Sequence, residues 1–416
     1  MKTGPRPGTG VVPTPLHEAL SRRSFLRAAG AAAGLAALAP LLEACATAGG
    51  PKGTFEGDPT GLVNFANWPL YIDKERAADG HIVRPSLELF QQETGIQVNY
   101  REVIPDAQTF YERVQKWLAA GEPTGWDIMV ITNGQTLTEM IQLNYLVELP
   151  GDRRPNFDAN AADSVKDPAY DPGNRFTMAW QSGITGIAYN PQLTGREIDS
   201  LQDLFDPAFE GRVGMFGDNV DLPNLAILAA GAEPETSTPE DWRAAAELLR
   251  GQREGGIVRD YYTQSYVNAL ANGEVALTMA WSGDIFQQNA SGQASGLQFV
   301  VPGDGALLWT DAMCIPRGAQ HPVDAIELMD FVYRPEVAAM IAEWVNYITP
   351  VPGARDSILD DAGKASGEEA VTLENVANSP LVFPSEQDQA RLHTYRVLAD
   401  EGEVAQWNAT FGEFYV

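Results

Sequence analysis

The sequence of 416 residues is poor in the side chains on which catalysis, metal binding and cross-linking usually depend. It has only two cysteines, Cys45 and Cys314, and among His81, His321 and His393 no two stand at metal-ligand spacing. It contains neither the G-x-S-x-G turn of serine hydrolases nor the G-x-x-x-x-G-K-S/T loop that cradles phosphate. These absences argue against an enzyme, a resident metal or cofactor, and a disulfide.

Basic residues are also scarce, because 28 Lys and Arg stand against 56 Asp and Glu, for a formal net charge of −28. Such a balance argues against nucleic acid or an anionic membrane surface as a partner. It permits a cationic ligand, but acidic surfaces also serve solubility, so the total charge alone does not choose between the two.

The apolar run from Ala28 to Leu42 is too short to cross a bilayer, which requires about 20 residues. It follows the basic stretch SRRSFLR and precedes LEAC, which ends at Cys45, so it has the form of a secretion signal. The paired arginines resemble a twin-arginine export signal, and the small residues before Cys45 resemble a lipoprotein cleavage site, in which Glu43 is unusual. We therefore expect residues 1–44 to be a twin-arginine-type lipoprotein signal peptide and Cys45 to be lipidated outside the cell membrane. The alternative is a cytoplasmic protein with an Ala-rich leader.

The rest of the chain is organised as a tether followed by a large α/β region. Residues 45–60 are rich in Gly, Pro and Thr, as flexible tethers are, and the remainder exceeds the usual size of a single core. Short apolar runs alternate with amphipathic segments, which predicts an α/β fold with largely parallel sheets. The predicted strands are 62–68, 127–132, 184–190, 212–216, 275–281, 297–302 and 312–316, and the predicted helices include 85–94, 110–120 and 242–250.

Aromatic and acidic residues recur together at the ends of these strands, where α/β proteins bind ligands. The residues concerned are Trp68, Asp218, Asp221, Trp281, Trp309 and Asp311. Tryptophan faces attract cations, and carboxylates form charge-assisted hydrogen bonds with them. A protonated polyamine, with ammonium groups joined by methylenes, would use both. Each Trp can instead be a core residue, and Asp218 and Asp221 can simply stabilise a helix N-terminus.

The stretch around Asp311 supports the interpretation of a cation-binding site. In ALLWTDAMCIP, residues 306–316, Asp311 interrupts an otherwise apolar strand, and burying a carboxylate costs several kcal/mol unless a hydrogen-bonding or cationic group meets it. Cys314 in the same strand reads as a small buried hydrophobe rather than a reactive thiol.

Nearly end to end after the leader, the sequence resembles the spermidine/putrescine-binding proteins of ABC importers. The matching stretches are NWPLYI, LELFQQETGIQVNY, WDIMVIT, LFDPAFEGRVGMFGD, NGEVALTMAWSGD, LLWTDAMCIPRGAQHPVDAIELMDFVYRPEVA and NYITP. The resemblance implies an extracytoplasmic solute-binding protein that captures a polyamine, spermidine or putrescine, and delivers it to an ABC permease. It also implies a monomer.

The resemblance further implies which residues bind the ligand. The aromatic box would comprise Trp68, Tyr71, Trp281, Trp309 and Tyr347, the ammonium groups would bind Asp218, Asp221 and Asp311, and Thr132 would supply a hydroxyl contact. The sequence departs from the family at Asp221, where spermidine binders have a longer glutamate, at Gly134, where they have a tyrosine wall, and at Pro69, which replaces a polar residue.

The implied fold is periplasmic-binding-protein-like (type II), with two α/β lobes closing on the ligand. Lobe 1 would comprise residues 61–178 plus 313–345, and lobe 2 residues 188–308 plus 346–416. Segments near 179–189 and 308–315 would cross between them, which would put Asp311 in the hinge.

Two other functions compete with this one. Adjacent Tyr261 and Tyr262 would suit a ferric-iron carrier of similar architecture, because phenolates are hard-oxygen ligands. An extracytoplasmic enzyme acting on a cationic substrate is the other, although no nucleophile–base pair is readable.

Overall fold

The computed structural model describes residues 55, 57–77, 79–290 and 296–416. The expected signal peptide, the lipidation site at Cys45 and most of the tether lie outside these residues. Within the described part of the chain, no helix is both long and apolar enough to cross a membrane.

Twelve strands and fifteen α-helices are joined by short loops and 3-10 turns in these residues. The strands are β1 (Leu62–Asn67), β2 (Glu75–Arg76), β3 (Ile82–Val83), β4 (Gln97–Glu102), β5 (Ile128–Thr132), β6 (Thr177–Tyr189), β7 (Val213–Phe216), β8 (Val258–Tyr262), β9 (Leu277–Trp281), β10 (Gln298–Val300), β11 (Ala306–Cys314) and β12 (Leu392–His393). The helices are α1 (Pro85–Thr94), α2 (Ala107–Ala120), α3 (Gln135–Gln142), α4 (Pro155–Asn160), α5 (Pro191–Thr194), α6 (Asp221–Ala229), α7 (Pro239–Glu254), α8 (Tyr266–Ala271), α9 (Ser282–Ala290), α10 (Pro322–Phe331), α11 (Pro335–Val345), α12 (Ala354–Lys364), α13 (Glu368–Ala377), α14 (Glu386–Gln389) and α15 (Glu401–Phe411).

The main sheet has the strand order β4-β1-β5-β11-β6-β9-β7-β8, with β10 and β12 attached to β6 and β11. Its outer ladders are parallel, but β11 pairs antiparallel with β5 and β6, and β6 pairs antiparallel with β9. The prediction of a largely parallel sheet therefore holds only for the two flanks. The middle is antiparallel because β6 and β11 cross the sheet in opposite directions.

These two crossing strands connect the flanks. The C-terminal end of β11 pairs with β5, and the C-terminal end of β6 pairs with β9. β6 and β11 also pair with each other, from Leu307↔Thr185 to Cys314↔Thr177. The predicted crossing segments, 179–189 and 308–315, thus correspond to the two longest strands of the sheet.

Local sequence explains the main helices. Helix α7 begins with a capping box between Thr238 and Asp241 and has a proline in its first turn, which favours helix initiation. Helix α2 is capped by Asp106, whose side chain accepts from the Thr109 N–H, and ends at Gly121 in the left-handed region (φ 68°).

Apolar residues cover both faces of the β1–β5 flank and form separate clusters. Phe65 and Val130 belong to the large cluster that continues through the rest of the molecule, while Ala66 and Ile131 belong to a smaller one against α2 and α3. Successive residues of a strand point to opposite faces, so each strand serves both cores. Cys314 lies in the smaller cluster, and its Sγ contacts the Met129 carbonyl oxygen at 3.4 Å, in agreement with the prediction of a buried hydrophobe.

Candidate functional site

The pairing of the crossing strands collects the predicted site residues on one face of the sheet. Asp311 on β11 lies opposite Thr132 on β5 and Gln181 on β6. Directly opposed residues in antiparallel strands point to the same side. The first row of the site is therefore Thr132, Asp311 and Gln181.

Asp311 is only 5% exposed and meets a hydrogen-bond donor, as its position in an apolar strand requires. The Thr132 hydroxyl donates to its Oδ1 at 2.5 Å. Thr132 ends β5, so its side chain stands at the carboxyl edge of that strand. The sequence predicted both residues for the ligand site, and the structure brings them into direct contact.

Two residues further along β6, Gly183 lies opposite Trp309. The Trp309 ring covers Gly183 so closely that any Cβ at position 183 would overlap it. Tyr347 flanks the ring, with centroids 5.3 Å apart, and Tyr71 packs edge-on against Tyr347 at 5.7 Å. Three of the five predicted aromatic residues thus form one continuous wall beside Asp311.

The third row contains Thr185 on β6, opposite Trp281 on β9. Asp221, which is 6% exposed and lies at the start of α6, contacts both residues of this row. Asp221 accepts hydrogen bonds from the Thr185 hydroxyl at 2.7 Å, Trp281 Nε1 at 3.0 Å and the Tyr395 hydroxyl at 2.7 Å. Burial raises the pKa of Asp221, while these three donors act in the opposite direction. Neutral donors thus surround this carboxylate.

Asp218 is held differently, by the backbone of the turn that starts α6. Its Oδ1 accepts from the N–H groups of Val220 at 2.7 Å and Asp221 at 2.5 Å. Burial, and then the nearby charge of Asp221, raise the pKa of Asp218 to about 7. The two acids thus share one turn, and these hydrogen bonds agree with the alternative interpretation that Asp218 and Asp221 stabilise a helix start.

Trp68 and Trp281 complete the predicted aromatic set. Trp68 follows β1 directly and donates from Nε1 to the Val130 carbonyl at 3.0 Å. Trp281 ends β9 and packs against Phe216, with ring centroids 4.8 Å apart. Both rings are partly exposed. They therefore keep an accessible surface that Tyr71 and Tyr347, each at most 1% exposed, do not have.

At Gly134, the departure from the family's tyrosine wall does not leave open space. Gly134 has φ 146°, which disfavours any other residue, and a Cβ there would lie 3.7 Å from Val220. The next residue, Gln135, accepts from Asn219 Nδ2 through its Oε1 at 3.2 Å. The start of α3 thus meets the Asp218–Asp221 turn directly.

Sequence reasoning missed Gln181, Thr185 and Tyr395. Gln181 lies in the N-terminal half of β6, which was not predicted as strand, and only the register shows which face Gln181 and Thr185 occupy. Tyr395 comes from the C-terminal segment, which packs on the Asp218–Asp221 turn through a hydrogen bond from Trp407 Nε1 to the Asn219 carbonyl at 3.1 Å. A tyrosine in a loop carries no sequence signal for such a contact.

Tyr261 and Tyr262, the proposed ferric ligands, lie on β8 at the outer edge of the sheet. As neighbours on a strand they point to opposite faces, so they cannot both ligate one ion. Burial also raises the pKa of Tyr261 to about 12, away from phenolate formation. Among the residues that the structure describes, no group of three or more His, Cys, Asp or Glu side chains is arranged to hold a metal.

Comparison with known proteins relates the sequence to one family. Residues 87–368 match the family described as bacterial extracellular solute-binding protein. The putrescine/agmatine-binding protein of Pseudomonas aeruginosa is 31% identical over 302 residues, which are 68% of this chain and 77% of that protein. The spermidine/putrescine-binding periplasmic protein of Escherichia coli is 25% identical, with 76% and 86% coverage.

Solved structures agree on the fold. The spermidine/putrescine ABC transporter substrate-binding protein PotD of Streptococcus pneumoniae matches with a TM-score of 0.69 at 22% identity, over 85% of this chain and 98% of that one. This likeness confirms the predicted fold class, a periplasmic-binding-protein-like α/β fold.

Proposed function

Because the chain belongs to the family of bacterial extracellular solute-binding proteins, we propose that it captures a polyamine, spermidine or putrescine, and delivers it to an ABC importer. The observation that carries the proposal is Asp311, a buried carboxylate on a crossing strand beside the Trp309 ring. Such a pair suits an ammonium group attached to an alkyl chain. Relatives named for putrescine, agmatine and spermidine support the same ligand class.

The proposed ligand site uses the residues that the resemblance implied, namely Trp68, Tyr71, Thr132, Asp218, Asp221, Trp281, Trp309, Asp311 and Tyr347. Thr132, Asp311 and Trp309 would contact one end of the ligand. Asp218 and Asp221, in the turn that starts α6 and meets Thr185 of β6, would face the other end. The protein acts as a carrier and not as an enzyme.

The proposed architecture is two lobes that close on the ligand, residues 61–178 plus 313–345 and residues 188–308 plus 346–416. Strands β6 and β11 would form the hinge, since β11 pairs with one flank of the sheet, β6 pairs with the other, and the two pair with each other. The protein would function as a monomer, apart from its contact with the permease.

We also propose that the protein is exported folded and anchored by a lipid on Cys45. The support is the sequence SRRSFLR followed by an apolar run and LEAC. Replacing Cys45 with Ala should release the protein from the membrane fraction, and Lys at positions 22 and 23 should block export. Normal membrane attachment of both variants would contradict this part of the proposal.

A calorimetric titration of the chain without its leader tests the ligand class. Putrescine, spermidine, spermine and agmatine should be compared, with ferric iron included for the competing carrier function. We expect saturable binding of at least one polyamine. Binding of ferric iron with a charge-transfer colour, and of no polyamine, would overturn the proposal.

A further inference from the structure

Gln181 is the most deeply buried polar residue of the Asp311 row and has an unsatisfied carbonyl. The residue is 2% exposed, and its Oε1 has no hydrogen-bond partner among the described residues. A buried acceptor without a hydrogen-bond partner costs free energy, and buried polar atoms in folded proteins usually have one. The Gln181 Oε1 therefore requires an explanation.

The geometry of β6 directs this amide toward the site. Asp311 pairs with Gln181 but Ala312 pairs with Ala179, so Trp180 is an extra residue in the ladder. Such a bulge re-aims side chains and is common beside binding sites. Here Trp180 donates from Nε1 to the Tyr71 carbonyl at 3.0 Å, while Gln181 takes the position opposite Asp311. Opposed Cβ atoms lie about 4.5–5.5 Å apart, within reach of one shared ligand group.

A buried water is the competing partner for Gln181. A small cavity of about 10 Å³ borders Gln181 and is lined otherwise by Ala179, Trp180, Val332, Ala338, Ile341, Thr349 and Pro350. That volume is at the lower limit for one water, which also needs two to four polar partners. The cavity wall is largely apolar and offers few such partners.

We propose that Gln181 is a ligand-binding residue whose Oε1 accepts a hydrogen bond from the ammonium group that Asp311 neutralises. A primary ammonium has three N–H donors. In the first row it would find three acceptors: the Asp311 carboxylate, the Gln181 carbonyl and the Thr132 oxygen, whose own proton goes to Asp311. The row therefore selects a primary ammonium over an N-alkylated one. This inference rests on the proposed polyamine-binding function.

The test compares Gln181→Met with a matched control, Gln252→Met. Gln252 on α7 is also 2% exposed with a buried, unpartnered Oε1, and its Nε2 donates to the Leu204 carbonyl at 2.7 Å, away from the site. With putrescine as the probe, Gln181→Met should weaken binding about tenfold or more, as expected for a hydrogen bond to a charged donor. Gln252→Met should bind like the parent.

A second probe identifies the group that Gln181 recognises. N,N,N′,N′-tetramethylputrescine keeps both charges but has one N–H on each nitrogen. The affinity difference between the parent and Gln181→Met should therefore shrink toward onefold. A difference as large as with putrescine would overturn the inference.

The remaining outcomes distinguish a failure of this inference from a failure of the proposed polyamine-binding function. If the parent binds putrescine and Gln181→Met binds it equally well, the inference is wrong, Gln181 serves a cavity water, and the proposed function stands. If the parent binds no polyamine, both fail. Should Gln181→Met not fold, Gln181→Glu retains the acceptor and should still bind putrescine, and loss of binding by that folded variant would contradict the proposal.

Discussion

The three acidic residues of the site differ in what already surrounds them. Asp311 accepts from the Thr132 hydroxyl, Asp221 from three neutral side-chain donors, and Asp218 from two backbone N–H groups. Asp311, on the strand opposite Gln181, is the acid on which we expect ligand affinity to depend most.

Asp311→Asn should weaken polyamine binding by about thirtyfold or more, because removing one partner of a desolvated charge pair typically costs about 2–5 kcal/mol. Trp309→Ala should cost a comparable amount through lost contact area and cation–π attraction. Calorimetry on the purified variants measures both effects. Asp330→Asn is the matched control, since Asp330 is 6% exposed and accepts from Asn156 and Phe157, outside the site. Parent-like affinity of both site variants would contradict the assignment.

Asp218 predicts a pH dependence. Its pKa of about 7 lies above the ordinary 3.8, so the folded chain holds this proton more tightly than the unfolded chain does. The contribution of Asp218 to stability is thus greatest at low pH and falls as the pH rises from about 4 to 7. A ligand ammonium would favour the charged form and lower this pKa, so binding should release a proton near pH 6 and strengthen toward pH 8.

Calorimetry in buffers of different ionisation enthalpy detects that proton. Asp218→Asn should abolish this proton release and flatten the pH profile. An unchanged profile in that variant would show that another group is responsible.

At the scale of secondary structure, the site depends on the close approach of β11 to β6. The Trp309 ring occupies the space beside Gly183, which only a residue without a Cβ leaves free. The position of the aromatic wall is therefore a property of the strand pair as much as of Trp309 itself.

Gly183→Ala should displace the Trp309 ring and weaken polyamine binding about as much as Trp309→Ala does. Gly363→Ala in α12 is the control, because a Cβ there meets nothing within 4 Å and an alanine favours a helix. Tryptophan fluorescence and calorimetry together follow the ring and the affinity. Wild-type affinity in Gly183→Ala would mean that the ring position does not matter.

Sequence patterns identified the apolar strands well and the polar ones poorly. Strands β1, β5, β7 and β9 were predicted within two residues of their observed ends because apolar residues predominate in them. Strand β4 (QVNYRE) and strand β8 (VRDYY) were missed, since both are edge strands whose exposed positions carry polar residues. The N-terminal half of β6 was missed because polar residues such as Gln181 interrupt it.

The site residues, like the strands, were predicted only where local sequence marks them. Trp68 and Trp281 stand at strand ends and Asp311 interrupts an apolar run, so local sequence marks them. The expectation that Trp309 and Asp311 lie at a strand end was wrong, because β11 begins at Ala306 and both residues lie inside it. Thr185 and Tyr395 become neighbours of Asp221 only through the pairing of β6 with β9 and the return of the C-terminal segment. Contacts between distant parts of a chain leave no local pattern.

For the whole molecule, the described arrangement already has contacts across the site. Gln135 on α3 accepts from Asn219, and Gln142 Nε2, at the end of the same helix, donates to the Ala399 carbonyl at 3.2 Å. These contacts join parts of the two proposed lobes. A ligand that bridges the same parts would favour this arrangement over an open one.

Small-angle scattering should therefore show a smaller radius of gyration when polyamine is added to the ligand-free protein. Asp311→Asn, at a ligand concentration that saturates only the parent, should show no such change. An identical radius of gyration with and without saturating ligand would contradict the placement of the hinge in β6 and β11.

The spacing of the rows along β6 makes that strand a ruler for the ligand. Gln181 and Thr185 mark its two ends, four residues and about 13 Å apart at the rise of an extended strand. Only every second residue of β6 faces the ligand, so inserting one residue would turn every side chain beyond it to the opposite face. Ligand length in such a protein can therefore be adjusted by side-chain size at the ends of the ruler, but hardly by single-residue insertion or deletion within it.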